Sequence, residues 1–280
     1  MGEDRIKRLR SMARDKRFIS GIFNYCDRWC ERCPFTARCL NFAMQEADDT
    51  DDPGARDTGN DKFWKKLEEI FRDTLTMIRE DAKARGIDLE APDTEAEART
   101  EEQKARCFDE MEEPLVESAM AYAKAVTGWM KKSGPLFEAK GTELATQARL
   151  SVGRPQAEAE QLKEFADVIS WYQYFIGAKL SRAVQGQAED EMETDEEMKQ
   201  FPKDSDGSAK IALIAIDRSI AAWSGLRGSL DEQNDSILDL LAALARLRRE
   251  VEEKFPAARA FVRPGFDEPE QTKAARKKKA

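Results

Sequence analysis

Four of the five cysteines lie within fourteen residues, in the segment Cys26-Asp-Arg-Trp-Cys30-Glu-Arg-Cys33-Pro-Phe-Thr-Ala-Arg-Cys39. Thiolates are soft ligands, and four of them complete the coordination of a zinc ion or an iron–sulfur cluster. The chain contains no histidine, which excludes Ser-His-Asp and Cys-His catalysis as well as histidine-ligated zinc and haem. The pattern C-x3-C-x2-C-x5-C therefore predicts a metal centre held by Cys26, Cys30, Cys33 and Cys39.

The spacing of these cysteines resembles two kinds of iron–sulfur motif. The first three resemble the C-x3-C-x2-C signature of radical-SAM enzymes. The last three resemble the C-x2-C-x5-C of SPASM-type auxiliary cluster domains and of cluster-bearing RecB-like nucleases, where proline and an aromatic residue often follow, as Pro34 and Phe35 do here. The chain shows neither the strand–helix alternation of a barrel nor an Asp/Glu-Lys site on a sheet. The resemblance therefore implies a [4Fe–4S]-binding element rather than the activity of those families.

The local conformation of the cysteine segment bears on the choice of metal. Apolar residues and cysteines from Phe18 to Cys33 recur mostly every three or four positions, which predicts a helix that stops at Pro34. On such a helix the first three cysteines share one face and span about 10.5 Å. A zinc ion holds its sulfurs about 3.8 Å apart, and a cubane cluster roughly 6 Å. A continuous helix favours the cluster, whereas unwinding after Cys30 favours zinc. Thr36 is expected to cap a second helix that carries Cys39.

Charged and aromatic residues around the cysteines could form the surroundings of a metal centre. Arg28, Arg32 and Arg38 alternate with the ligands and could balance a negative centre. An apolar shell that limits access of water is expected from Phe18, Phe23, Tyr25, Trp29, Phe35 and Phe42. The alternative without metal is a buried seam, because cysteine is a small apolar residue and the i, i+4, i+7 spacing also describes a core stripe. The fifth cysteine, Cys107, is interpreted as a core residue beside Phe108 and Met111.

The rest of the chain predicts an all-α protein. Its organisation is expected to be an N-terminal helix-turn-helix cysteine module (residues 1–47), a bundle of five or six helices (61–256) and a disordered basic tail (257–280). Helical periods and breakers predict helices at about 61–86, 100–134, 135–150, 155–186, 208–226 and 229–256, with a kink at Pro114. The run from Ile211 to Ile216 is apolar on nearly all sides, which places it at the centre of the bundle.

Composition narrows the compartment and the partners. Of the 280 residues 36% are charged, and the net charge of −9 gives no reason to expect nucleic acid or an anionic membrane as a partner. Residues 1–17 lack the apolar stretch of a secretory signal. We therefore expect a cytoplasmic protein without a membrane or nucleic-acid partner, and a protein partner remains open. In a reducing compartment, clustered cysteines more often bind metal than form disulfides.

Three functional hypotheses follow. The first is a metalloprotein whose [4Fe–4S] cluster has a redox, sensing or structural role on a helical scaffold. The second is a zinc-stapled helical interaction protein without enzymatic activity. The third, an enzyme, is less favoured, because no histidine is present and Asp, Glu, Lys, Tyr or the cluster itself would have to react. A polar pocket formed by Asp217, Arg218, Lys179 and Arg182 is also conceivable, although a structural ion pair is the preferred interpretation.

Overall fold

The computed structural model describes residues 2–48, 53–55, 57–89, 113–192, 203–230 and 234–267. Within these ranges the regular elements are eight α-helices and four short 3-10 turns, without a strand. The predicted all-α class is therefore confirmed. In the same part of the chain, every helix is too short or too polar to span a lipid bilayer.

The contacts divide the chain into two units. One unit combines Met1–Thr100 with Arg263–Ala280, and the other is Glu101–Val262. The second unit is thus an insertion, in sequence, between two parts of the first. The sequence-based division into residues 1–47, 61–256 and 257–280 stays a prediction.

The first unit contains helices α1 (Gly2–Ala13), α2 (Leu40–Asp48) and α3 (Asp61–Ala84). The capping residue of α3 is Asn60 rather than Asp61, since the Asn60 side-chain oxygen accepts a hydrogen bond of 3.0 Å from the Lys62 amide. Arg5 of α1 pairs with the buried Asp73 of α3 at 3.0 Å. One face of α3 is therefore fixed against α1.

The second unit contains α4 (Pro114–Lys132), α5 (Gly134–Arg149), α6 (Pro155–Met192), α7 (Asp204–Ser229) and α8 (Asn234–Lys254). Pro114 is the first residue of α4, where its missing amide hydrogen costs nothing. Residues 90–112, which include Cys107 and the predicted start of this helix near residue 100, lie outside the described residues. The last helix was predicted to begin at Ser229 with a capping box to Glu232, but Ser229 is the last residue of α7, and Glu232 lies outside the described residues.

Two other predicted boundaries in the second unit are wrong. Helix α6 continues past Gly186, and α7 begins at Asp204 rather than Ser208. A β-carbon on Gly186 would lie 3.2 Å from the Ser205 amide nitrogen. Gly186 therefore permits a close crossing of α6 and α7 instead of ending a helix, and the sequence Asp204–Gly207 is a first helical turn rather than a loop.

The core of the second unit is centred on α7, as predicted. Between Ile211 and Ile216 every side chain except that of Ile214 is buried. Farther along α7, the Trp223 indole donates a 2.9 Å hydrogen bond to the Tyr122 hydroxyl of α4. Both side chains are buried, so this hydrogen bond satisfies the indole N–H of Trp223 and engages the hydroxyl of Tyr122.

Candidate metal centre

The backbone that carries the cysteines is a series of turns rather than a helix. Helix α1 ends at Ala13, and the next regular elements are 3-10 turns at Cys30–Arg32 and Thr36–Arg38. The prediction of a helix through the first three cysteines is therefore wrong. Gly21 and Arg28 have left-handed φ angles of 74° and 58°, which interrupt a right-handed helix.

Aspartate side chains support these turns from within the segment. The Asp15 carboxylate accepts a 2.9 Å hydrogen bond from the Arg17 amide, and that of Asp27 accepts a 3.2 Å bond from the Trp29 amide. Such local bonds offer the backbone an alternative to helix formation. The Ile19 amide also donates to the Arg38 carbonyl at 3.0 Å, which joins the first turns to the last one.

The four cysteines are thus spread over a bend and two 3-10 turns. Cys26 lies in a bend, Cys30 begins the first 3-10 turn, Cys33 follows that turn, and Cys39 directly precedes α2. Thr36 is not a helix cap; instead the Cys39 carbonyl accepts a 3.0 Å hydrogen bond from the Ala43 amide at the start of α2. All four cysteines are free thiols of intermediate exposure.

All four cysteine side chains line one cavity, which we call the cysteine cavity. Its volume is about 20 Å³, room for about one water molecule. Its other walls include Ile22, Phe23, Trp29, Phe35, Phe42 and Phe266. Four of the six aromatic residues expected in the shell are present, whereas Phe18 and Tyr25 are not among the lining residues. Sequence reasoning missed Phe266, whose ring meets that of Phe35 edge-on with centroids 4.9 Å apart.

The thiols are close enough to influence one another electrostatically. Burial raises the pKa of the Cys30 thiol, and the neighbouring thiols of Cys26, Cys33 and Cys39 raise it further. Burial also raises the pKa of Cys26. The hydrogen bond from the Arg28 amide and the positive charge of the Arg28 side chain act to lower that pKa. The side chains that the sequence predicted to share a centre are therefore brought together around a common space.

Backbone amides support two of the four sulfurs. The Phe35 amide donates to the Cys33 sulfur at 3.4 Å, and the Arg28 amide donates to that of Cys26. In both cases the donor lies two residues after the cysteine. An amide aimed at sulfur stabilises the thiolate, which is the form that binds metal.

The three arginines of the segment differ in their surroundings. Arg28 acts on Cys26, as described, but the Arg32 guanidinium lies 3.7 Å from the centre of the Trp29 ring. Arg38 donates from Nε to the Arg17 carbonyl at 3.5 Å. Arg28 is therefore the arginine that the geometry connects most directly with the thiols.

Within the described residues, no group of three or more Cys, Asp or Glu side chains is arranged so that it could hold a single metal ion. The four cysteines therefore line a common cavity without enclosing an ion-sized site.

The other charged residues singled out from the sequence have separate partners in the second unit. Asp217 pairs with Arg259 at 2.6 Å, and Arg182 pairs with Asp204 at 3.0 Å. The Arg218 guanidinium donates to the Tyr172 hydroxyl, and the Lys179 ammonium lies over the Phe175 ring. These contacts match the interpretation as structural pairs rather than one polar pocket.

Comparison with known proteins adds no relative: no protein-family model matches the chain, and no curated protein or solved structure is significantly similar to it. The resemblance of the cysteine spacing to iron–sulfur motifs is therefore confined to the cysteine segment. The geometry of that segment is therefore the basis of the functional proposal.

Proposed function

We propose that this is a cytoplasmic metalloprotein in which Cys26, Cys30, Cys33 and Cys39 bind a [4Fe–4S] cluster. The observation that carries the proposal is that four cysteine side chains from a bend and two 3-10 turns line a single cavity. A cluster bound there supplies one-electron chemistry, so its role is redox, sensing or structural. The helices of the second unit serve as a scaffold or as a partner-binding body.

The surroundings of the thiols suit a centre of negative charge. Four thiolates leave such a centre with a charge of about −2. Amides directed at Cys26 and Cys33 and the charge of Arg28 favour the thiolate forms and offset part of the burial that raises the pKa of Cys26. Apolar and aromatic walls restrict water, and solvent exposure is one determinant of the reduction potential of a cluster.

The choice between cluster and zinc depends on two observations that point in different directions. The shared cavity suits either centre, and the resemblance of the cysteine spacing to iron–sulfur motifs supports the cluster. The unwound backbone, with amide-to-sulfur bonds at Cys26 and Cys33, supports zinc. The zinc-stapled interaction protein is therefore the second candidate.

Anaerobic purification of the full chain tests the proposal. Iron, acid-labile sulfide and zinc are measured per chain, together with optical and EPR spectra. We expect four irons and four sulfides per chain, together with an absorption band from sulfur-to-iron charge transfer. One zinc per colourless chain would establish the second candidate, and thiols without any metal would reject both.

Single serine variants identify the ligands. Each of Cys26→Ser, Cys30→Ser, Cys33→Ser and Cys39→Ser is expected to lose most of the bound metal, because an open coordination position exposes the centre. Cys107→Ser is the matched control, since it also removes one thiol but is predicted to leave the metal content unchanged. The assignment would be contradicted if Cys107→Ser lost its metal while the four other variants kept theirs.

A further inference from the structure

Helix α3 presents a stripe of large apolar side chains to solvent. We define the α3 stripe as Trp64, Phe71, Leu75 and Ile78, whose exposed fractions are 56%, 59%, 51% and 49%. They are separated by seven, four and three residues, so they lie within an arc of about 60° and extend over roughly 21 Å. Asp73, which packs against α1, lies on the opposite side of the helix. Contiguous exposed apolar surface of this kind marks an interaction site.

The first residue of the stripe is held in a fixed orientation. The Trp64 indole donates a 2.8 Å hydrogen bond to the Thr58 carbonyl. Its ring also meets that of Phe63 edge-on, with centroids 5.2 Å apart. A large aromatic side chain fixed before binding loses little conformational entropy on association. The α3 stripe is therefore preorganised at this end.

One edge of the α3 stripe is basic. Lys65, Arg72 and Arg79 follow one another at intervals of seven residues and are exposed, with Glu68 as the acidic residue among them. Acidic residues on the other side of the helix are paired with α1, where Arg10 binds Glu80 at 2.9 Å and Asp81 at 3.2 Å. The stripe thus combines a helical apolar seam with a positive edge.

We propose that the α3 stripe binds an amphipathic helix of a protein partner whose apolar face is flanked by aspartate or glutamate. Spacings of three, four and seven residues are those of helix-to-helix packing, and the basic edge selects an acidic flank. This proposal goes beyond the metal site and does not depend on it.

Two other occupants fit less well. In a two-fold antiparallel pair of α3 helices, residues of the same edge face each other, so Lys65, Arg72 and Arg79 would oppose basic residues of the second copy. For a lipid surface, a helix needs an excess of positive charge, but Asp61–Ala84 contains six basic and six acidic residues. Glu68 would also lie close to the membrane-facing arc.

The test measures binding of the full-length protein to two labelled synthetic peptides by fluorescence anisotropy. Both are 21-residue amphipathic helices with the same leucine seam; one carries glutamates along its flanks and the other lysines. We expect the glutamate-flanked peptide to bind at least tenfold more tightly at low ionic strength, with an affinity that falls as salt is added. Equal binding of the two peptides, or binding of neither, would overturn the proposal.

Variants locate the binding surface. Phe71→Glu is expected to weaken binding at least tenfold, and Leu75→Glu provides a second variant should the first lose helicity by circular dichroism. Leu150→Glu is the matched control, because it places the same charge on a leucine that is 69% exposed in the second unit. A triple Lys65→Glu, Arg72→Glu, Arg79→Glu variant should reverse the preference between the peptides; an unchanged preference would refute the assigned edge.

Two further measurements test whether a second copy of the chain or a lipid surface covers the α3 stripe instead. Sedimentation equilibrium that shows a dimer, lost in Phe71→Glu, would replace the proposed partner by a second copy of the chain. Co-sedimentation with vesicles of three parts phosphatidylcholine to one part phosphatidylserine, lost in the same variant, would replace it by a lipid surface. A monomer that binds the acidic peptide and neither of these supports the proposal.

Discussion

Gly265 controls how the chain closes the cysteine cavity, and its substitution gives a quantitative test. Its φ angle is 77°, and a β-carbon there would lie 2.9 Å from Ile19 Cδ1 and 3.0 Å from Ile22 Cδ1. Both isoleucines are buried, so their methyl groups have little room to withdraw. The next residue, Phe266, lines the cavity. Gly265→Ala should therefore loosen the segment that carries this wall.

The expected magnitude has two parts. A left-handed alanine costs about 1 kcal/mol relative to glycine, and overpacking against a filled core costs a further 1–3 kcal/mol or so. Gly86→Ala isolates the first part, because Gly86 has a φ angle of 70° and a β-carbon there would meet nothing within 4 Å. The difference between the two variants measures the packing of the segment on the isoleucines.

Alkylation of Cys26 in metal-free protein is a suitable assay, followed by mass spectrometry of the modified peptide. If modification proceeds through local opening, the combined destabilisation of about 2–4 kcal/mol raises the rate roughly 30- to 900-fold. We expect at least a thirtyfold increase in Gly265→Ala and no change in Gly86→Ala. Equal alkylation rates in the two variants would refute the idea that Phe266 and its neighbours cover the thiol.

Two further predictions concern the second unit. Gly225→Ala should lower the free energy of unfolding by about 1–3 kcal/mol in urea titrations, because its β-carbon would overlap the outer edge of the Phe165 ring. Gly228→Ala should raise it by about 0.5–1 kcal/mol, since a β-carbon there would meet nothing within 4 Å. Equal effects of the two substitutions would contradict this reasoning. Burial raises the pKa of Tyr122 from 10.0 to about 12, which favours the neutral hydroxyl in the folded state. The stability that the folded state gains from keeping this hydroxyl neutral is therefore intact below pH 10 and is lost as the pH rises toward 12. Tyr122→Phe should remove that alkaline loss and cost about 1–3 kcal/mol at pH 7, because the Trp223 indole loses its acceptor; an unchanged alkaline transition would contradict the assignment.

The convergence of the cysteines could be predicted because all four are close in sequence. Any compact conformation of fourteen residues brings their sulfurs near one another, so the shared cavity did not require the correct backbone. The conformation itself was mispredicted, since apolar spacings of three and four also arise in successive turns. Left-handed φ angles at Gly21 and Arg28 decided the outcome, and Arg28 in particular gives no sequence signal for such an angle.

Long-range packing explains the other differences. Nothing near Cys26 indicates that Phe266 would line the same cavity, because that contact depends on the path of the entire intervening chain. Gly186 was interpreted as a helix end on local grounds, yet it lies where the backbone of Ser205 approaches. The central position of Ile211–Ile216 was predictable, since a segment that is apolar on all sides has no surface suited to water.

The wall contributed by Phe266 has a consequence for biosynthesis. A ribosome polymerises the cysteine segment more than 220 residues before Phe266. During that interval the nascent thiols lack one of their aromatic covers, which leaves a period in which a carrier could deliver iron and sulfide from the open side. The later segment would then cover any metal centre inserted there, so insertion would precede closure of the cavity.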